Sequence, residues 1–346
     1  MWIYTQQRVW GPPWPNRDGW RDRQWWWVVA LSLMVVGLFS SGIATAERVR
    51  PFRIGALTTS WGPTPQIVGL RDGLIALGYR EDQDFFLGIR FTQGDTSELP
   101  TAARDLVQQG VDLIFVDSDE PVQAAQQATQ QIPIVFASTA SDPTQLGAIE
   151  SFARPGGNVT GVTDLALDLG PKRLQVFQEL VPHLKRVLFP YNPVVDDAPR
   201  VRVYQDAAHL LGIELLAKPL RTEAEAQATI RQVKQGEVDG ILAPFSIVLN
   251  IPGFVLETGI QRGIPTMFNS AFFVERRALA SYGPDFYETG KQAARLVDKI
   301  LKGANPAEIP VEVNPKIEFA INLRTANALG LTIPPVVLFQ ADRIVR

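Results

Sequence analysis

No cysteine occurs in the 346 residues, and only two histidines do. The first absence excludes a disulfide scaffold, a cysteine nucleophile and a cysteine-ligated metal site. The second leaves a histidine-rich metal site short of the three or four ligands it needs. An excess of basic charge is lacking too. The 33 Lys and Arg stand against 36 Asp and Glu, a formal net of −3, so no strong basic surface is on offer to a phosphate backbone and nucleic acid is not an expected partner. What remains is a globular balance of 46% hydrophobic and 20% charged residues, long enough for two lobes of roughly 100–200 residues each.

Tryptophan is scarce except at one end: seven of the eight fall within the first 27 residues, and composition changes just beyond them. No residue from Trp25 to Ala46 is charged, the run from Val28 to Phe39 is strongly apolar, and Arg17, Arg21 and Arg23 precede it. With Ala44-Thr45-Ala46 at its end, this pattern is expected to be an export signal, residues 1–46, cleaved after Ala46 to leave 300 residues. An uncleaved membrane anchor is the rival reading, since 22 uncharged residues approach the ~20 that span a bilayer. The small polar stretch Ser40-Ser41-Gly42 favours a peptidase. Either way the body is expected outside the cytoplasm, in the periplasm, without a lipid anchor because no cysteine follows the apolar run. Four arginines and two aspartates leave with the signal, taking the charges to 29 basic and 34 acidic, a net of −5.

In the exported part, short β-branched runs alternate with segments of helical period. The runs Arg53–Thr59, Phe85–Thr92, Val111–Val116, Ile132–Ala137, Arg186–Tyr191, Ile213–Pro219, Val238–Ala243 and Ile264–Phe268 are expected as strands. Pro65–Gly78, with Ile67, Leu70, Leu74 and Leu77 on one face, and Pro121–Gln131 are expected as helices. The clearest helix is Tyr287–Lys302, where Ala293, Leu296, Val297, Ile300 and Leu301 form one stripe and Gly303 stands at the C-terminal cap. Such alternation implies an α/β fold of doubly wound parallel sheets covered on both faces. The chain also repeats itself. Val111-Asp112-Leu113-Ile114-Phe115 and Ile132-Pro133-Ile134-Val135-Phe136 return as Val238-Asp239-Gly240-Ile241-Leu242 and Ile264-Pro265-Thr266-Met267-Phe268, at offsets of 127 and 132 residues. Two similar lobes, with a cleft between their strand ends, follow.

Catalysis has little to draw on. His183 and His209 read as surface or packing residues, and no motif singles out a carboxylate pair. The piece from Arg154 to Gly161 lacks the Gly-Lys-Ser/Thr ending and the G-x-G-x-x-G spacing of phosphate cradles, and reads as a tight turn leading into a strand. No enzyme, cofactor or metal is expected. The informative positions are polar and aromatic residues after apolar runs, where ligands of such sheets bind. They are Ser60-Trp61-Gly62, Asp117-Ser118-Asp119, Ser138-Thr139, Asn192, Phe245-Ser246, Asn269-Ser270 and Tyr282. Helix capping competes for Ser118, Asp119 and Asp142, which stand shortly before prolines. It does not explain Trp61, the one tryptophan outside the leader, which reads as a stacking platform in a Gly/Pro-flanked loop.

The order of motifs resembles the periplasmic substrate-binding proteins of ABC transporters related to tryptophan- and tyrosine-binding members. The resemblance is carried by Gly69-Leu70-Arg71-Asp72-Gly73-Leu74 with Leu77-Gly78-Tyr79, Asp142-Pro143, and Ala153-Arg154-Pro155-Gly156-Gly157-Asn158-Val159-Thr160-Gly161. It continues through Lys172-Arg173-Leu174, Tyr191-Asn192-Pro193, Ser281-Tyr282-Gly283 and Ile321-Asn322-Leu323, covering about Phe52 to Ile344. It implies a type I periplasmic-binding fold of two doubly wound lobes joined by a three-crossover hinge. Lobe 1 is expected to be 47–163 plus about 284–305, and lobe 2 to be 164–283 plus about 306–346. It further implies a monomer that captures a small amino-acid-like or other organic solute and delivers it to an ABC permease of the inner membrane, without chemistry. By position, Ser118, Ser138 and Thr139 resemble carboxylate-holding residues, while Asp119, Asp142 and Asp164 are the candidates for an ammonium group. Trp61, Phe245 and Tyr282 would flank an apolar side chain.

One departure from that pattern is acidic: the turn Asp117-Ser118-Asp119-Glu120-Pro121 stands where many relatives have a small neutral one, and it favours a cation or zwitterion if it faces the cleft. A ligand-sensing domain anchored through the N-terminal segment is the alternative function. A DNA-binding regulator of related fold is disfavoured, because the apolar leader stands where its headpiece would be.

Overall fold

Thirteen strands build two sheets among the described residues of the computed structural model, which are 50–139, 141–164, 169–196 and 198–346. The expected export signal lies outside these residues, and among them no helix is long and apolar enough to cross a membrane. The body runs from Phe52 to Arg346. Its strands are β1 (Phe52–Thr58), β2 (Phe85–Phe91), β3 (Leu113–Val116), β4 (Ile134–Ala137), β5 (Val159–Thr163), β6 (Arg186–Tyr191) and β7 (Glu214–Pro219). They continue as β8 (Gly240–Leu242), β9 (Thr266–Phe268), β10 (Ala280–Pro284), β11 (Glu312–Val313), β12 (Ile317–Asn322) and β13 (Arg343–Val345). The eight strands read from sequence are all present, their ends within two residues of those expected, with β1 starting one residue early at Phe52.

The first sheet has the order β11-β5-β4-β3-β1-β2 and is parallel throughout. The second, β13-β12-β10-β9-β8-β6-β7, is parallel except between β10 and β12. The sequence repeat is a spatial one: β4-β3-β1-β2 and β9-β8-β6-β7 occupy equivalent places. All four residues of β3 and of β4 are buried, as strands covered on both faces require.

The covering helices are α1 (Pro65–Ala76), α2 (Leu99–Gln108), α3 (Asp119–Ala128), α4 (Gly170–Leu180), α5 (Ala198–Leu210) and α6 (Glu223–Arg231). They continue as α7 (Ile251–Arg262), α8 (Ala271–Val274), α9 (Phe286–Leu301), α10 (Leu323–Ala328) and α11 (Pro335–Gln340). In the first lobe, Ile54, Leu70 and Phe115 pack with Leu296 and Val297 of α9. In the second, one core holds Phe177, Phe189 and Phe319 and another holds Ile241, Val255 and Phe268. α1 and α9 cross at near backbone contact. A Cβ on Gly69 would strike the Tyr287 carbonyl, and one on Gly290 the Gln66 carbonyl, so glycine is needed at both.

The chain passes between the sheets three times: from β5 to α4, from β10 to α9, and from β11 to β12. The last crossing is only Asn314, Pro315 and Lys316. Because Glu312 and Val313 pair with Val162 and Thr163 of the first sheet, the chain re-enters the second sheet between Val313 and Ile317, not near residue 306 as expected. Asn314, buried, ties the three passages together. Its N–H donates to the Thr163 carbonyl at 2.7 Å, and its Nδ2 donates to the Asp285 carbonyl at 3.1 Å and to Thr289 Oγ1 at 2.8 Å. Lys316 Nζ adds an ion pair to Asp285 at 2.9 Å.

Candidate functional site

The carboxyl ends of β5, β4, β3 and β1 are neighbours in the first sheet, so the loops that follow them form one edge. Thr64 opens α1 from there. Its Oγ1 accepts from the Ile67 N–H at 3.5 Å and donates to Asp117 Oδ2 at 2.7 Å, linking the β1 and β3 loops. Burial pushes the Asp117 carboxyl up to about 6, against hydrogen bonds from Thr64 and Thr58 that favour its charged form. Ser60 is buried and closes its own loop, its N–H donating to Thr58 Oγ1 at 3.2 Å and its Oγ donating to the Gly62 carbonyl.

Ser118 occupies the N-cap position of α3 without making a side-chain cap; its Oγ is buried and has no hydrogen-bond partner. Capping therefore does not account for this serine. Asp119 and Glu120 fill the first turn of α3, where the helix dipole favours negative charge. Burial, reinforced by Asp119 and Asp196, nevertheless pushes Glu120 up to about 7. Ser138, after β4, is a non-glycine residue in the left-handed region, with φ of 81°. Thr139 is fully buried and donates to Thr163 Oγ1 at 3.0 Å, so its hydroxyl is spent on joining the β4 and β5 ends. Asp164 is buried where the first crossing leaves the sheet. Asp142 Oδ1 accepts from the Thr144 N–H and hydroxyl at 2.8 and 2.7 Å, a turn that holds its carboxyl below its usual range. Its role as a local cap is therefore visible.

Trp61 is 45% exposed, and its indole lies against Gly94 in the loop after β2. In the second sheet, Asn192, Phe245 and Asn269 follow the adjacent strands β6, β8 and β9. Asn192 Oδ1 accepts from the Val194 N–H at 2.8 Å, and Asn269 Nδ2 donates to the Phe245 carbonyl at 3.4 Å. Tyr282, expected at a strand end, instead lies inside β10 opposite Phe319, the two ring centroids 6.0 Å apart, and packs on the core of the second lobe.

Two arginines of the second lobe were not among the sequence candidates. Arg173, on α4, has the largest side chain that is fully buried. Its Nη1 donates to the Tyr204 hydroxyl at 2.9 Å, its Nη2 to the Ala243 carbonyl at 2.8 Å, and its guanidinium lies 4.6 Å from the Phe245 ring centroid, while Nε has no partner. The one sequence signal was its place in the motif Lys172-Arg173-Leu174. Arg200, on α5, reaches across to the first lobe. Its Nη2 lies 3.2 Å from Asp119 Oδ2 and donates to Ser141 Oγ. No sequence pattern signals that contact, because the two residues stand 81 positions apart in the chain. Carboxylates at Asp117, Asp119 and Glu120 thus stand on one edge, while the other carries the guanidiniums of Arg173 and Arg200 together with the buried Asp196. Among the described residues no cluster of His, Asp and Glu is placed to hold a metal ion. His183 and His209 are both exposed.

Residues 64–345 match the family described as ABC transporter substrate binding protein. Over 258 residues, 73% of either chain, the sequence is 30% identical to a tyrosine-binding protein of Clostridioides difficile (strain R20291). An ABC domain from Streptococcus pneumonia, solved in complex with L-Trp, is similar in structure with a TM-score of 0.74 and 26% identity, covering 85% of this chain and 100% of that one. A conserved domain protein from Vibrio cholerae O1 biovar El Tor gives a TM-score of 0.74 and 27% identity over the same shares. With its two doubly wound sheets arranged as in the type I periplasmic-binding fold, this chain belongs to the ABC transporter substrate-binding protein family.

Proposed function

We propose that the protein captures a small amino-acid-like solute between its lobes and hands the closed form to an inner-membrane ABC permease, working in the periplasm after export through residues 1–46. The family is one of solute-binding proteins rather than enzymes. The observation that carries the reading is the meeting of the two strand-end edges, spanned by Arg200 and Asp119, in a chain 30% identical to a tyrosine-binding protein. Ser118 Oγ supplies a buried hydroxyl with its hydrogen-bonding capacity open to a solute. Trp61 and Phe245 supply aromatic surface from opposite lobes. Asp119 and Asp142 are engaged by Arg200 and by Thr144, which counts against either as the holder of a solute ammonium group.

Native mass spectrometry of the purified protein, followed by titration with L-tyrosine, L-tryptophan and other amino acids, tests the reading. A co-purified or added amino acid bound at one equivalent is expected, together with a change in Trp61 emission. Absence of binding by every amino acid and of any retained small molecule would overturn it.

A further inference from the structure

We propose that Arg200 is an interlobe latch, which sets solute affinity by stabilising closure rather than by touching the solute; the part that concerns affinity rests on the receptor reading above. Arg200 projects from α5 of the second lobe, and Asp119 opens α3 of the first. Their side chains are only 12% and 13% exposed. Asp119 Oδ2 is held in place by the N–H and hydroxyl of Ser141, at 3.2 and 2.6 Å, and Ser141 Oγ accepts from Arg200 as well. A guanidinium is thus received by two groups of the opposite lobe that are already fixed to each other.

Two other ion pairs of the body differ in kind. Arg231–Glu257 and Arg295–Glu312 each lie within one lobe and expose 44% and 58% of the arginine side chain, where such pairs contribute little. The Arg200 pair is shielded and charge-assisted, and it forms only when the two edges meet. An interaction made in one of two conformations moves the equilibrium by its full differential free energy, and apparent affinity scales with the fraction of molecules competent to bind. Closure and affinity therefore share a contact in which the solute takes no part. The chemical consequence is that Asp119 is neutralised by the protein itself, so the acidic turn selects cations less than its sequence implies.

The test is small-angle scattering from the ligand-free protein, alongside Arg200→Ala, Asp119→Asn and the charge exchange Arg200→Asp with Asp119→Arg, each checked by thermal unfolding. The single variants are expected to enlarge the radius of gyration, and the exchanged pair to bring it back towards the parent value. With L-tyrosine or L-tryptophan as probe, the single variants are expected to bind about 5–150-fold more weakly. Superimposable scattering curves for the parent and both single variants would overturn the latch, as would an exchanged pair no more compact than the singles. Neither amino acid binding the parent would count against the receptor reading alone, because the ligand-free scattering still decides the latch.

Discussion

Trp61 rests against Gly94: a Cβ placed on that glycine would lie 2.6 Å from Cη2 and 2.9 Å from Cζ2 of the indole. The ring can approach the β2 loop this closely because residue 94 has no side chain, and Gly94 also adopts a φ of 86°, open to glycine at little cost. Gly94→Ala is expected to lift the indole and shift the emission of Trp61 in the chain from residue 47 onward, where it is the sole tryptophan. Aromatic amino acids should bind more weakly by about 1 kcal/mol, the usual worth of one aromatic contact. Fluorescence and calorimetric titration read both effects; an unchanged spectrum would detach Gly94 from the platform.

Asn314 joins all three crossings, so its removal should be felt beyond its own loop. Asn314→Ala strips donors from the Asp285 carbonyl and the Thr289 hydroxyl and is expected to destabilise the body by about 1–3 kcal/mol. Urea unfolding measures this. A loss below a few tenths of a kcal/mol would mean that the crossings hold without the side chain.

Glu120 makes stability depend on pH. Its folded value of about 7 lies above the ordinary 4.5, so the stability it contributes is fully present below 4.5 and is lost as pH rises through 7. Glu120→Gln, which mimics the protonated form, is expected to unfold at a higher temperature than the parent at pH 8 and at the same temperature near pH 4.5. Parallel pH profiles for the two proteins would assign the dependence elsewhere.

At the crossing of α1 and α9, Gly290→Ala sets a methyl group against the Gln66 carbonyl. Both helices are well-packed backbone here, so neither yields as a flexible side chain would. Overpacking of this kind costs about 1–3 kcal/mol, and a lowered denaturation midpoint with an unchanged slope is expected.

Much of the fold was legible because its strands are buried apolar runs between turn signals. The equivalence of β3 with β8 and of β4 with β9 showed directly as repeated residues. β10 was not read as a strand, since Ser281-Tyr282-Gly283-Pro284 carries turn chemistry. The structure keeps it extended because Gly283 packs against the Asn269 backbone, where a Cβ would collide with the carbonyl. β11 escaped for a different reason: two residues have no period, and only pairing with β5 defines them. At the site, Ser118 and Trp61 could be picked out as strand-end residues, whereas the partners of Asp119 and Thr139 come from elements distant in the chain. Arg200 lies 81 residues from Asp119, a juxtaposition that local pattern does not encode.

The passage from β11 to β12 has three residues, and its middle one is proline. A leash that short lets the flanking Cα atoms of Val313 and Ile317 part by no more than roughly 14 Å at full extension. Sliding one sheet past the other is thereby excluded over any useful distance. Closure of the kind proposed here would have to turn about this corner like a cover on its spine, and lengthening the leash with glycine and serine is expected to weaken solute binding without altering any strand-end residue.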